Sequence, residues 1–284
     1  MYSKTAPPIG NALLACPKCR APLPDIEDRL ICAGCGMEIR VLDGVVIARP
    51  TEAESYFDQT FAVMQEGNRM EGTWEIFYAE QIRYVESLLI PGEVVLDVGC
   101  GPTLLYDPKD TYVIGVDASL PSIQANKAVS LGVYASAAEL PLRTASVDTV
   151  MCFYSIHHMT GANVAENERI VRQVFSEFER VLKPAGRLMI FDMSPWFGFA
   201  MAEELVWNMA KAKIGPGLDM FFWKDRRLRD IATLAMKDAS LTIKRFGRKP
   251  FQTFPPVFSK PGLRLPRFLY PFDINLYSWQ RGKC

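Results

Sequence analysis

The chain is short of histidine: only His157 and His158 occur among its 284 residues. Any step in which a neutral imidazole removes a proton from a hydroxyl or an amine must therefore use one of that pair. Long apolar runs are missing too. Nowhere do some eighteen uncharged apolar residues follow one another, which argues against a membrane-spanning helix. Residues 1–10 lack a basic region followed by an apolar stretch, so no secretory signal is expected and a cytoplasmic location is. Net charge is absent as well, with 32 basic residues against 32 acidic ones, and no internal repeat is present. A hydrophobic content of 49% without a long charged block indicates a folded protein with a sizeable core. The length suits one large domain plus something small.

What is present begins with cysteine. Four of the seven form two knuckles, Cys16-Pro17-Lys18-Cys19 and Cys32-Ala33-Gly34-Cys35, with twelve residues between the pairs. Two such knuckles at this separation place four thiolates around one zinc ion, and a cytosolic setting disfavours disulfides. Gly34 and Gly36 suit the tight turns that aim backbone amides at thiolate sulfur. Iron in a rubredoxin-like site is the chemical alternative, and colour separates the two. A four-thiolate site leaves no position open for water, so structure or docking is expected of it rather than catalysis. Cys100, Cys152 and Cys284 have no partner spacing, and the first two read as packing residues.

A second signal lies at the end of an apolar run, Val94-Val95-Leu96-Asp97-Val98-Gly99-Cys100-Gly101-Pro102. A further run, Val113-Ile114-Gly115-Val116-Asp117, ends in another acid. The pair describes two parallel strands, a tight glycine turn, and a carboxylate placed to hold a ribose, hence a nucleotide-like cofactor. A dinucleotide fingerprint needs a third glycine where Leu104 stands, which argues against NAD.

The remaining pattern, acid-x-Gly-x-Gly, resembles the first motif of class I S-adenosylmethionine-dependent methyltransferases. Later segments resemble that family in order and spacing: Ala138-Glu139-Leu140-Pro141-Leu142, Ser146-Val147-Asp148-Thr149-Val150, and Arg180-Val181-Leu182-Lys183-Pro184-Ala185-Gly186 leading into a strand. The match covers about residues 85–195. It implies an α/β fold, a Rossmann-like doubly wound seven-stranded sheet, with S-adenosyl-L-methionine as cofactor. Asp97, Gly99, Cys100 and Gly101 would cradle the methionine part, and Asp117 with Ala118 the ribose. Ser136, the Ala137 N–H and Phe153 would border the remainder of the cofactor. Two departures stand out. Ser136 replaces an acid that often receives the adenine amino group, and residues 101–111 are too short and too rich in Pro and Asp for a full first helix.

With its tail, Ile39-Arg40-Val41-Leu42-Asp43-Gly44-Val45-Val46-Ile47, the cysteine-rich head resembles the short zinc-ribbon domain found alone or fused ahead of bacterial methyltransferases. It is similar to the small zinc-binding partner of eukaryotic tRNA and protein methyltransferases. A zinc ribbon over 1–50 and a methyltransferase domain over 51–284 are therefore expected. Within the second, 51–90 reads as helix, and the resemblance offers Tyr56 as a residue near the cofactor, although an aromatic at this spacing equally suits a core. Helices are expected over 119–131, 163–182 and 228–239, and strands over 188–192, 241–246 and 274–279. An aromatic-rich insertion occupies about 194–224. A long connection at about 247–273 holds six prolines.

Ligands of open α/β sheets bind at the carboxyl ends of the strands, which brings Asp97, Asp117, Ser136, Phe153 and Asp192 to one crevice. His157 and His158 follow the fourth strand of that order. Each is a candidate base, or else a histidine bonded to the sheet edge; Asp192 either meets an acceptor hydroxyl or caps a turn. Three functions remain open. The first is methyl transfer to a small, lipophilic or lipid-type acceptor beneath the aromatic insertion. The second is RNA methylation: residues 241–284 carry nine basic side chains against one acid, Asp273, and suit an anionic partner such as phosphate, a lipid headgroup or RNA. The third is a binding protein in which the zinc ribbon docks a partner and the cofactor site is regulatory or inactive.

Overall fold

A computed structural model describes residues 12–24, 28–49, 58, 73–215, 218–246, 251–253, 264–266 and 270–282 of the chain. Near the amino terminus come β1 (Arg29–Ile31), β2 (Glu38–Leu42) and β3 (Val45–Ile47), then helix α1 (Thr73–Leu88). The alternating unit follows: β4 (Val94–Val98), β5 (Tyr112–Asp117), α2 (Leu120–Ala125), β6 (Leu131–Tyr134), β7 (Val147–Phe153), α3 (Val164–Val181) and β8 (Leu182–Pro195). Helices α4 (Phe197–Ile214) and α5 (Asp225–Ala235) then precede β9 (Ala239–Phe246), the small pair β10 (Phe251–Thr253) and β11 (Arg264–Pro266), and finally β12 (Phe272–Arg281).

The main sheet runs β1-β2-β3-β6-β5-β4-β7-β8-β12-β9. It is parallel from β3 to β8, with β12 inserted antiparallel between β8 and β9. The expected count of seven strands needs correction, because the sheet has ten. The three additional strands come from the cysteine-bearing head: β3 pairs in parallel with β6, Val45 opposite Gly132 and Ile47 opposite Tyr134. An uncovered β6 would present a row of unpaired backbone groups, and the head satisfies that row.

Its central strands are apolar on both sides, as a covered parallel sheet requires. Successive residues of β4 serve opposite layers. Leu96 and Val98 join Phe175, Phe178 and Val181 of α3 and Leu228 and Ile231 of α5, while Val95 packs with Tyr78 and Val85 of α1 and Ile123 of α2. Helices on both faces make the sheet doubly wound. Leu14, Leu30 and Ile39 of the head belong to the α3 layer, so the head shares a core with the body.

Two connections shape the crevice. The segment between β4 and β5 forms turns with no helix, and the helix after β5 spans six residues, shorter than expected. Ser119 caps α2 by accepting from the Ser122 N–H, and β6 begins at Leu131, which limits how far the helix can run. The 163–182 helix is found with Asn163 as its N-cap. The insertion proves to be mostly α4, and the long connection contains the antiparallel β10–β11 pair. No described helix is long and apolar enough to cross a membrane.

Candidate active site

The glycine turn after β4 is built by two left-handed residues, Gly99 at φ 71° and Gly101 at φ 63°. A Cβ on Gly99 would fall 1.9 Å from Ser155 Oγ, so glycine there also permits close packing against the chain that follows β7. The loop amides are spent inside the protein. Gly99 and Cys100 N–H both point to the Val116 carbonyl, at 2.7 and 3.4 Å, and Gly101 N–H donates to Asp117 Oδ2 at 2.9 Å. Asp117 Oδ1 accepts from Ser119 N–H at 2.8 Å, which fixes the carboxylate at the tip of β5.

Asp97 sits on the floor of the same turn, almost fully buried. Tyr106 donates its hydroxyl to Oδ2 at 3.0 Å, while Oδ1 is buried without a hydrogen-bond partner among the described residues. Burial pushes the Asp97 carboxyl up to about 7, the Tyr106 hydrogen bond opposing and the Asp117 charge adding to it. Asp117 is likewise raised by burial, against the backbone N–H groups that hold it. Two acids, an unpartnered carboxylate oxygen and no spare amide on Gly99, Cys100 or Gly101 make this end of the crevice suited to a cation and ill suited to a phosphate.

The crevice has a volume of about 700 Å³ and opens at the carboxyl ends of the strands. Asp97, Gly99, Cys100, Gly101, Asp117, Ala118, Ser136, Ala137 and Phe153 all line it. Ser136 Oγ accepts the Ala138 N–H at 3.2 Å. Tyr56 lies outside the described residues.

Both histidines also line the crevice, on a single 3₁₀ turn, Ile156–His158, that leaves β7. His157 Nδ1 and Asp192 Oδ1 stand 2.6 Å apart, with 3% and 1% of the two residues exposed. Asp192 Oδ1 also accepts the N–H of Met193 at 2.8 Å. With Asp192 as the acceptor, Nδ1 is the donor, and in the neutral ring this tautomer leaves the Nε2 lone pair free. Phe222 stacks on the His157 ring at 5.2 Å. His158 donates Nδ1–H to the Asp219 carbonyl at 2.9 Å; burial, then the neighbouring His157, lower its basicity. Asp192 stands behind His157 and does not itself line the crevice.

Several lining residues have no motif to announce them. Tyr106 lies in the turns where a helix is missing, and Met220 comes from the insertion. Tyr154, at φ 53°, donates to Gln81 Oε1 of α1 at 2.7 Å. Tyr78 stacks edge-on to it at 5.1 Å. Their only trace in the sequence is proximity to Phe153 and the aromatic character of residues 74–85.

At the far edge of the sheet the sulfur atoms of Cys16, Cys19, Cys32 and Cys35 all lie within 4.8 Å of one another. Cys16 and Cys35 are 3.6 Å apart, Cys19 and Cys32 3.4 Å. Four sulfurs around a tetrahedral ion at ~2.3 Å would be about 3.8 Å from each other. The donor set and its spacing therefore fit one thiolate-bound metal. Arg20, next to the first knuckle, donates to the Leu140 carbonyl at 2.8 Å and pairs with Glu177 at 3.1 Å.

Residues 96–190 match the methyltransferase domain family. An O-methyltransferase of Pyrenophora dematioidea is 34% identical over 116 residues, covering 36% of this chain and 40% of that protein. A 27-O-demethylrifamycin SV methyltransferase of Amycolatopsis mediterranei is 32% identical over 114 residues, covering 36% and 39%. The chain thus spans about two fifths of the length of the curated relatives it matches. A solved complex between the Haloferax volcanii Trm112 methyltransferase activator and a methyltransferase contains a chain similar to it at TM-score 0.55 and 16% identity, covering 82% of this chain and 100% of that one. The fold is that of the class I S-adenosylmethionine-dependent methyltransferases.

Proposed function

We propose that the protein transfers a methyl group from S-adenosyl-L-methionine to an oxygen or nitrogen of a small, lipophilic acceptor. The observation that carries this reading is the acid-lined glycine turn. Its amides are spent on Val116 and Asp117, and Asp97 Oδ1 lacks a partner among the described residues, which suits a ligand that is cationic at that end and has ribose hydroxyls for Asp117. S-adenosyl-L-methionine brings an electrophilic methyl on a sulfonium, which leaves as a neutral thioether. Gly99, Cys100 and Gly101 would cradle its methionine part, Asp117 and Ala118 its ribose, and Ser136, Ala137 and Phe153 its adenine end.

Beyond that lies a wall of Tyr78, Tyr154, Met193 and Met220 around the two histidines, apolar enough for a lipophilic acceptor. His157, held by Asp192, would take the proton of an acceptor hydroxyl at Nε2 while the methyl group arrives, with His158 as a neighbour 4.3 Å away. Such a base supplies about 10²–10⁴ in rate, and alignment of acceptor and methyl the larger share. Both curated relatives are named for O-methyl chemistry, which favours oxygen.

Residues 1–50 are proposed as a zinc ribbon on a methyltransferase unit, 51–284, with Cys16, Cys19, Cys32 and Cys35 as ligands. Four thiolates leave no open position, so the metal would fix the head and take no part in methyl transfer.

Calorimetry with S-adenosylmethionine and S-adenosylhomocysteine tests the donor, and absence of heat for both would end the reading. Labelled methyl transfer in a cell extract, separated into lipid, RNA, protein and small-molecule fractions, tests the acceptor. Label in the small-molecule or lipid fraction is expected; label confined to RNA would assign the basic 241–284 stretch to nucleic acid instead.

A further inference from the structure

Helix α4 wears its polarity inside out. Twelve large apolar side chains are exposed among the described residues, and eight of them fall within 196–214. Phe197, Met201, Leu205 and Met209 recur every fourth residue and so form one outward stripe, with Leu205 76% and Phe197 73% exposed. The acids of the same helix turn the other way. Glu203 accepts the Phe222 N–H at 3.1 Å and Glu204 pairs with Arg227 at 2.9 Å. Ala200 and Trp207 complete the inward side, almost fully buried. Of the charged residues on α4, Glu203, Glu204 and Lys211 are partly buried and Lys213 is exposed. A contiguous apolar patch of this kind on a surface helix marks an interaction face.

We propose that this face seats on an anionic lipid surface, with α4 lying flat in the headgroup region. The charge around the stripe selects that occupant. Lys213 is exposed in its last turn, where Lys211 donates to the Leu218 carbonyl, and Lys224 Nζ stands 5.1 Å over the Phe197 ring at its first while pairing with Glu204 at 4.0 Å. The N-terminus of α4 follows Pro195, which is paired with Phe272; Phe246 at the end of β9 is paired with Ile274. The sheet's last residue before this connection, Phe246, and its first after it, Phe272, thus lie near the start of α4, and the sequence 247–271 between them holds five basic residues and no acid. A second copy of the chain packed on this face would bring the rim formed by Lys213 and Lys224 against itself, at a cost in repulsion. An anionic bilayer meets the rim with opposite charge and receives the apolar side chains beneath its headgroups. The strand ends that carry α4 are those at which the crevice opens, so the bound orientation would face the crevice toward the lipid. The inference concerns a different surface from the methyl-transfer site and stands without it.

Flotation of the full chain with phosphatidylcholine vesicles, with and without phosphatidylglycerol, tests the face and involves no cofactor. Binding to the anionic vesicles, weakened by salt and slight on phosphatidylcholine alone, is expected. The double variant Leu205→Glu, Met209→Glu changes two exposed positions and should lower bound protein at least about tenfold. Ile90→Glu, also exposed but preceding β4 at the other end of the sheet, should leave binding unchanged. Circular dichroism of both variants checks that they remain folded. No flotation at low ionic strength, or flotation indifferent to the double variant, would overturn the proposal. So would sedimentation showing a dimer that the double variant dissociates, since the face would then belong to a second copy.

Discussion

His157 and Asp192 share a hydrogen bond of 2.6 Å behind the wall of the crevice, although 35 residues separate them in the chain. The turn after β7 delivers the imidazole and the carboxyl half of β8 delivers the carboxylate. Because the two strands are neighbours, with Phe153 opposite Phe191, the pairing is a consequence of register. Replacing Asp192 by Asn should leave the ring in place but let it adopt the other tautomer, with Nε2 protonated and useless as a base. For a hydroxyl acceptor, His157→Gln and Asp192→Asn are each expected to lower kcat by roughly 10²–10³ with the S-adenosylmethionine Kd unchanged within about twofold. Single-turnover methyl transfer alongside calorimetry separates the two quantities.

Asp97 is a carboxyl kept in the fold at a cost. From its ordinary value of 3.8 up to about 7 the unfolded chain has released a proton that the folded chain keeps. This group therefore makes stability fall as pH rises through that window, and adds no further slope above it. A cationic ligand prefers the ionised form, so cofactor affinity should climb with pH to about 7 and then level off. Asp97→Asn removes both effects. The ligand-free protein should melt a few degrees higher at pH 8, while the Kd for S-adenosylmethionine rises about 10- to 100-fold through loss of a charge-assisted contact. Thermal melts at pH 5 and pH 8, paired with calorimetry, check the sign.

The two glycines of the turn should fail in different ways. Alanine at Gly99 places a methyl 1.9 Å from Ser155 Oγ and takes an unfavourable φ, so a loss of stability of roughly 2–4 kcal/mol is expected. Alanine at Gly101 has the same φ problem, yet its Cβ meets nothing within 4 Å and lies at the crevice. About 1 kcal/mol of stability and a larger loss of cofactor affinity should follow there. Denaturant midpoints for the two variants, set against their Kd values, distinguish the outcomes.

The sequence made the donor end of this site readable because its geometry is local. Asp97, Gly99, Gly101 and Asp117 belong to two consecutive strands and the turn between them, and the pattern that predicts the strands also predicts their meeting. The sheet from β5 to β9 was readable for the same reason, as apolar runs bounded by turns, whereas β6 (Leu131–Tyr134) did not read as a strand. Pairing across distance was not. Nothing in Val45-Val46-Ile47 tells that it will lie beside Gly132, so the head was expected as a separate unit and its three strands were left out of the sheet. Tyr106, Tyr78 and Met220 reach the crevice from segments with no motif, by packing alone. The inverted polarity of α4 was equally hidden, since its composition is apolar whichever side faces out.

The head offers the last test, because its contacts reach the crevice. Ala15 N–H donates to the Pro141 carbonyl at 2.9 Å and Arg20 donates to Leu140, four residues beyond Ser136. Glu177 holds both sides of this junction, accepting from Arg20 and from the Leu140 N–H at 2.9 Å. If the four cysteines hold zinc, the metal ties down the loop that carries Arg20. Structural zinc contributes on the order of 10 kcal/mol to small folds, so chelation should melt the head and uncover the β6 edge. A fall in Tm of roughly 10 °C or more is expected, together with a weaker S-adenosylmethionine Kd as the 136–140 segment loosens. Arg20→Ala isolates the link: with the thiolates intact, one zinc per chain should remain bound and the Tm should drop by only a few degrees, while the Kd still weakens several-fold. Elemental analysis counts the metal, and calorimetry reads the affinity. A Kd unmoved by Arg20→Ala would show that the head supports the sheet edge without acting on the crevice.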